Sequence, residues 1–202
     1  MRSLLALIFL MPVTTLAQVR TSDAPNALAV GAALGYVAEV GWSGPAVGAE
    51  LALGAVSASA ALTFPGDETG RAFSLAALVY PAGRMTPVAV ALGAEYAIVG
   101  GGGRSSAFVG PVASVSYRLV HGAGGSVIPE VLGGMLIPIG NSSGGNVGLQ
   151  VGATARVTLA APSPFGGARV YVAPAVSRSV EPGGFDGPAY AVSVEAGITA
   201  DL

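Results

Sequence analysis

The chain has 202 residues, of which 52% are hydrophobic and 10% are charged, and it contains no Cys and one His. The apolar content excludes a disordered chain, and a net charge of −2 without a basic run argues against nucleic-acid binding. Zinc and disulfide frameworks need residues that the chain lacks. Because soluble domains usually carry about 25% charged residues, the composition favours a β-rich protein that tolerates an apolar exterior.

Residues 1–17 have the features of a secretory signal peptide. Arg2 provides a positive start, an apolar run extends from Leu4 to Leu10, and small residues occupy the positions before Gln18 that a signal peptidase reads. The run is too short to span a bilayer as a helix. We therefore expect export and cleavage before Gln18, followed by a short extension over residues 18–26.

From residue 27 onward, apolar residues recur with a period of two, which predicts β-strands. From Leu28 to Trp42, large apolar side chains share one face and mainly Gly and Ala share the other. The segment from Tyr190 to Leu202 repeats this pattern. Turns need Gly and Pro, and stretches rich in these residues separate the segments at 41–45, 65–70, 81–87, 100–106, 121–126, 140–146, 161–167 and 180–188.

One segment, residues 46–64, is too long for a single strand, and its apolar phase shifts by one residue. Such a shift indicates a bulge or a turn. A tight turn at Gly54-Ala55-Val56 divides the segment into two strands of the length that a tilted membrane-spanning strand needs. The count then becomes ten strands, with eight as the alternative.

The polarity of the two faces decides between a soluble sheet and a membrane barrel. A soluble sheet has a water-facing side dense in charge, whereas here the second face holds small residues with isolated charges. This pattern is typical of a transmembrane barrel with a polar interior. The charges inside strands all fall on the small-residue face, at Glu39, Glu50, Glu95, Arg118, Glu130, Arg156, Arg169 and Glu195.

We therefore expect an all-β fold, an antiparallel up-and-down transmembrane β-barrel over residues 27–202. An even number of strands places both chain ends in the periplasm. Aromatic residues near the outer strand ends are expected to form an interfacial girdle, while parity turns Tyr80, Phe108 and Tyr171 away from lipid. The girdle residues are Trp42, Phe64, Phe73, Tyr96 and Tyr190.

The stretch from Met85 to Tyr96, MTPVAVALGAEY, resembles the turn-proline-strand element of small bacterial outer-membrane β-barrel proteins of the OmpA/OmpX-like and related families. Val47–Leu51 followed by Val56–Ser59 resembles their tight periplasmic hairpin. The resemblance implies location in the cell outer membrane, contact with its lipid and recognition by the outer-membrane assembly machinery. Such families commonly end in an aromatic residue, whereas this chain ends in Leu202. We expect a monomer without a cofactor.

The interior charges allow two interpretations. In the first, Arg and Glu side chains pair across the lumen and fill it, because buried charge is costly unless it is paired. In the second, the glutamates line a narrow path or a weak cation site. Glu130 and Arg156 fall at nearly the same depth on neighbouring strands, which predicts an ion pair, with Arg118 and Arg169 as outer members of the cluster.

Other polar residues lack the spacing of a known site. His121 lies in a turn without a nucleophile elbow or an orienting acid. Asp67-Glu68 and Asn141-Ser142-Ser143 lack Ca²⁺-ligand spacing, and Gly100–Gly103 lacks the Lys and helix of a phosphate loop. The sequence therefore predicts no catalytic, metal or cofactor site.

The resulting expectation is an outer-membrane barrel without enzymatic activity, with a structural or surface role or a very narrow pore whose lumen is plugged by charge. One alternative is an outer-membrane enzyme that modifies lipids. The other is a secreted soluble β-barrel that binds an apolar ligand, which would place the Leu/Val face inward.

Overall fold

The computed structural model describes residues 20–21, 28–39, 42–64, 70–101, 104–120, 124–139, 148–164, 166–180 and 188–202. In these ranges the chain forms ten strands. They are β1 (Leu28–Glu39), β2 (Trp42–Leu53), β3 (Val56–Thr63), β4 (Gly70–Val79), β5 (Val88–Gly101), β6 (Arg104–Tyr117), β7 (Ser126–Ile139), β8 (Gln150–Pro162), β9 (Ala168–Val180) and β10 (Ala189–Asp201).

The strands close into a single antiparallel barrel. Each strand pairs with the next one along the chain, and β10 returns to pair with β1, from Ala29 opposite Asp201 to Glu39 opposite Ala191. No helix in the described part of the chain is long and apolar enough to cross a membrane. The predicted ten-stranded antiparallel barrel is confirmed.

The barrel has two ends with different connections. At the end where β1 begins and β10 finishes, here called the terminal end, neighbouring strands are joined through residues 54–55, 80–87, 118–125 and 163–167. The opposite end, here called the loop end, carries the connections over residues 40–41, 64–69, 102–103, 140–149 and 181–188.

Side chains alternate between an apolar exterior and a lumen of small residues. Leu34, Leu92 and Val131 are 70%, 54% and 59% exposed on the outside. Their inward neighbours are small: Ala33 and Ala91 are buried. The large apolar side chains therefore face outward, which is the reverse of the arrangement that a soluble barrel with an apolar interior would need.

The tight turn predicted at 54–56 is confirmed, with Gly54 and Ala55 in the turn and Val56 already in β3. Leu53 pairs with Val56 across it. Gly54 has a φ of 55°, a left-handed conformation that glycine adopts without steric cost.

Parts of two predicted turns belong to strands. Ser43, Gly44 and Pro45 continue β2 and pair with β1, although the sequence predicts a turn at 41–45. Likewise β5 continues to Gly101 and β6 begins at Arg104. A closed barrel offers each strand a partner on both sides, and this tertiary pairing outweighs the local preference of Gly and Pro for turns.

The aromatic side chains follow the predicted parity where they are described. Tyr80, Phe108 and Tyr171 are buried inside the barrel, at 3%, 1% and 5% exposure. Tyr190 is exposed, and the guanidinium of Arg178 lies 5.8 Å from its ring centre. The remaining girdle residues are Phe64 and Phe73, both exposed, Tyr96, partly exposed, and Trp42, whose side chain lies outside the described residues.

Candidate functional site in the barrel lumen

The predicted interior charges lie on the lumen side of the wall wherever their side chains are described. Six are buried, and Glu195 is partly buried among inward-facing residues of β10. The side chain of Glu39 lies outside the described residues. The six buried residues are Glu50, Glu95, Arg118, Glu130, Arg156 and Arg169.

The predicted ion pair between Glu130 and Arg156 is confirmed. The two residues stand directly opposite each other on β7 and β8, and Arg156 Nη2 donates to Glu130 Oε2 at 2.8 Å. Both side chains are almost fully removed from solvent, at 6% and 3% exposure. A buried carboxylate needs such a partner, because an isolated buried charge is strongly destabilising.

Arg156 also interacts electrostatically with two further carboxylates, Glu50 and Glu195. We call these four residues, including Glu130, the Arg156 cluster. Its members come from β2, β7, β8 and β10, so that the closed ring brings together residues far apart in sequence. Arg156 therefore interacts with all three carboxylates, while Glu130 also interacts electrostatically with Arg20, and Glu50 with Arg84.

Two of these carboxylates have different hydrogen-bonding situations. Glu195 Oε1 accepts a hydrogen bond from the Tyr171 hydroxyl at 2.7 Å. Glu50 is buried, and its Oε2 has no hydrogen-bond partner among the described residues. The cluster thus contains an acceptor without a donor among the described residues, which is a costly arrangement in a buried site.

The Tyr171 side chain reaches Glu195 because the neighbouring strand carries a glycine. Gly197 on β10 is directly opposite Tyr171 on β9. A Cβ atom at Gly197 would overlap the Tyr171 hydroxyl and the carbonyl oxygen of Ala32. The absence of a side chain at Gly197 therefore makes room for the tyrosine beside its carboxylate partner.

Glu95 is not part of the Arg156 cluster. It lies on β5, five strands from β10 in either direction around the ring, and its cross-strand neighbours are Ala76 and Gly110. Its exposure is 2%, and neither carboxylate oxygen has a hydrogen-bond partner among the described residues. Glu95 is therefore a separate buried carboxyl group on another part of the wall.

The roles predicted for Arg118 and Arg169 remain predictions. Arg118 follows β6 at the terminal end, and its Nη2 lies 3.8 Å from Met85 Sδ. Arg169 is buried near the start of β9, opposite Thr199 of β10. Both arginines make further interactions, and their membership of the cluster around Glu130 and Arg156 stays a prediction.

A cavity of about 50 Å³ adjoins the Arg156 cluster. Its charged lining comes from Arg156 and Glu195, its hydroxyl groups from Thr63, Thr154 and Ser193, and much of the rest from Ala and Gly residues. A buried water needs about 10–15 Å³ on this measure. The cavity therefore holds about three or four non-hydrogen atoms, in a lining that offers donors and acceptors.

An apolar contact closes the lumen at the loop end. Val37 of β1 and Ala191 of β10 belong to one buried cluster with residues of β5, β6 and β7 on the other side of the ring. Phe108 is its largest member and is 1% exposed. Side chains from facing walls therefore meet across the lumen on the loop-end side of the Arg156 cluster.

Several residues of the lumen were not identified as site residues from the sequence. Arg20 and Arg84 are buried at the terminal end, each at 1% exposure. Burial lowers the pKa of both guanidinium groups, although arginine retains its charge in proteins. The sequence signals for these residues were weak. Arg84 falls in the turn predicted at 81–87, and Arg20 lies in the extension that precedes the first strand.

The remaining predicted polar sites fall largely outside the described part of the chain. This applies to the signal segment over 1–17, to Asp67-Glu68, to His121 and to Asn141-Ser142-Ser143. Of the extension over 18–26, only Arg20 and Thr21 are described. Among the described residues there is no group of three or more potential metal-ligating side chains.

The fold and the lumen define the class of protein as a closed ten-stranded antiparallel barrel with an apolar exterior. The chain is similar to the outer membrane protease OmpT from Escherichia coli, with 12% identity and a TM-score of 0.45, over 95% of this chain and 100% of that chain. No family model and no curated protein matches the chain. Membership of the OmpA/OmpX-like families therefore stays a prediction.

This comparison corrects the function expected from the sequence. The sequence predicts a barrel without enzymatic activity, whereas the solved structure to which the chain is similar is that of an enzyme. The absence of catalytic motifs from one sequence does not show an absence of activity, and that expectation is therefore withdrawn. At this level of similarity, the comparison assigns no reaction to the present chain.

Proposed function

We propose that the chain is an integral protein of the cell outer membrane whose lumen binds a small nitrogen-containing cation at the Arg156 cluster. Ammonium, methylammonium and guanidinium have the matching charge, hydrogen-bond donors and size. The observation that carries this function is a cavity lined by Glu195 and Arg156, adjoining a cluster in which Glu50 Oε2 has no hydrogen-bond partner among the described residues.

Membrane location is supported by the continuous apolar exterior. Exposed apolar patches larger than a few hundred Å² are rare on soluble monomers, and an outward apolar band is typical of transmembrane barrels. The expected signal peptide over 1–17 and the resemblance to OmpA/OmpX-like barrels support export, insertion by the assembly machinery and contact with outer-membrane lipid. In this orientation the terminal end faces the periplasm.

Binding of a cation is supported by the carboxylates of the cluster and by the space beside it. Glu130, Glu50 and Glu195 all interact electrostatically with Arg156. The adjoining cavity is lined by Glu195 and Arg156 and not by Glu50, so an N–H donor in the cavity makes its charge-assisted hydrogen bond to Glu195, and Glu50 adds negative charge to the same cluster. The cavity has a volume of about 50 Å³, which suits a ligand of one to four non-hydrogen atoms.

The test is calorimetric titration of the folded protein in detergent with ammonium, methylammonium and millimolar guanidinium chloride. Glu50→Gln and Glu195→Gln should each weaken binding by about 10- to 100-fold, since hydrogen bonds to charged groups contribute about 1.5–3 kcal/mol. Potassium and tetramethylammonium chloride serve as probes without N–H donors and should bind more weakly.

Glu95→Gln is the matched control, because it makes the same change at a buried carboxylate outside the cluster. It should leave the affinity unchanged. Heat-dependent mobility on a gel establishes that each variant is folded. Wild-type affinity in both Glu50→Gln and Glu195→Gln, or equal loss in Glu95→Gln, contradicts the proposed site.

A further inference from the structure

Two residues that precede the first strand lie inside the terminal end of the barrel. Arg20 and Thr21 are 1% and 0% exposed, although β1 begins only at Leu28. Charged and polar residues ahead of a domain normally remain in water unless something holds them in place. Their complete burial therefore calls for specific contacts inside the barrel mouth.

Arg20 is held by three acceptors from two neighbouring parts of the wall. Its Nε donates to the carbonyl oxygen of Arg84 at 2.8 Å, and its Nη2 donates to that of Thr86 at 2.7 Å. Its Nη1 donates to the hydroxyl of Ser116 on β6. Arg84 in turn donates from Nε to the carbonyl oxygen of Gly54 at 2.9 Å, which connects this arrangement to the next turn of the terminal end.

Thr21 makes its contact on a different part of the ring. Its hydroxyl lies 2.8 Å from the hydroxyl of Thr199 on β10. Because β10 and β6 are four strands apart on the shorter path around the barrel, the two residues together connect widely separated walls. The segment therefore crosses the mouth and does not follow its rim.

We infer that Arg20 and Thr21 form a plug that closes the lumen at the terminal end and controls access to it from that side. The fork of the guanidinium fits carbonyl acceptors fixed by the β4–β5 turn, which makes the seat specific for arginine. All three acceptors of Arg20 are neutral groups. Because the guanidinium donor is ionised, these hydrogen bonds are charge-assisted, and they hold the plug in the mouth of the folded barrel.

The chain contains no cysteine, so an introduced thiol reports access to the lumen without background. Thr158→Cys places a thiol on the inner face of β8, two residues nearer the terminal end than Arg156, at a position with 0% exposure. The probe is the anionic reagent methanethiosulfonate ethylsulfonate, and its addition is followed by mass. Arg20→Ala should increase the labelling rate at least tenfold relative to the same cysteine with Arg20 intact.

Arg178→Ala is the matched control, because it removes an exposed arginine near the loop end and should leave the labelling rate unchanged. Gly124→Cys, in an exposed turn at the terminal end, should react rapidly in every background. An unchanged rate at Thr158→Cys after Arg20→Ala overturns the inference.

A second measurement keeps the inference testable where Arg20→Ala fails to fold. Thr21→Cys combined with Thr199→Cys replaces two hydroxyls that lie 2.8 Å apart, so that the two thiols come within reach of each other. Oxidation of the folded protein should form this crosslink nearly completely, read as an intramolecular shift in gel mobility. A pair that stays reduced while the barrel is folded overturns the plug.

Discussion

The outer and inner faces of the same strands differ in the properties that they require of a side chain. On the outside, Leu34, Leu92 and Val131 are exposed apolar residues, as on the outer face of a transmembrane barrel. Inside, Glu130 has its partner on the next strand and Tyr171 depends on a glycine beside it. The comparison indicates that hydrophobicity determines the outer face, whereas partner identity and exact size determine the lumen.

The largest expected loss of stability comes from a charge introduced on the outer face. Leu92→Arg should destabilise the protein by about 2–4 kcal/mol in a bilayer, because Leu92 is near mid-strand and an arginine there enters the hydrocarbon. Leu92 is 54% exposed on β5. Leu92→Val is the control and should cost far less, since it keeps the face apolar. Equal free energies of unfolding for these two variants would mean that this face does not meet lipid.

The second-largest effect tests how closely side chains are packed inside the lumen. Gly197→Ala should destabilise by about 1–3 kcal/mol, as overpacking does, because the new methyl group overlaps the Tyr171 hydroxyl. Gly152→Ala is matched to it, since Gly152 is at an inward-facing position of β8 and a Cβ there makes only ordinary contacts, to the carbonyl oxygen of Arg178 at 3.6 Å and to Ser179 Cβ at 3.8 Å. Unfolding in detergent compares the two variants. A Gly152→Ala variant as unstable as Gly197→Ala would contradict the specific role of Tyr171.

Much of the barrel wall could be predicted from the sequence, because the alternation of side chains along a strand is a local feature. Period-two alternation gives the strand number and the inward face of each charge. The Glu130–Arg156 pair also follows, since both residues lie at similar depths on adjacent strands and their parity matches. The strand pairing of Ser43, Gly44 and Pro45 could not be predicted, because Gly and Pro favour turns locally while the closed barrel continues the pairing.

The contacts that cross the lumen could not be predicted in this way. Arg20 lies before the first strand and belongs to no alternating pattern, so its position in the barrel mouth depends on the complete ring. The convergence of Glu50 and Glu195 on Arg156 likewise depends on closure between β1 and β10 and on the tilt of the strands. Adjacent-strand geometry follows from parity, whereas cross-lumen geometry requires the assembled barrel.

The smallest expected effect distinguishes an isolated Glu130–Arg156 pair from the four-residue Arg156 cluster. In a double-mutant cycle with Glu130→Gln and Arg156→Gln, unfolding in detergent should give a coupling energy of about 0.5–3 kcal/mol, as residues in one ion-pair network do. The single variants should differ. Glu130→Gln leaves Arg156 with Glu50 and Glu195 nearby, whereas Arg156→Gln removes the guanidinium that all three carboxylates share.

Arg156→Gln should therefore be the more destabilising of the two, because removing one member of a buried ion pair leaves its partner charge without compensation. A third variant, Glu95→Gln, measures the cost of changing a buried lumen carboxylate that has no part in the cluster. Strict additivity of Glu130→Gln and Arg156→Gln would show that the two residues contribute independently. Equal costs of the two single variants, together with a measurable coupling, would reduce the cluster to an isolated pair and remove the electrostatic role assigned to Glu50 and Glu195.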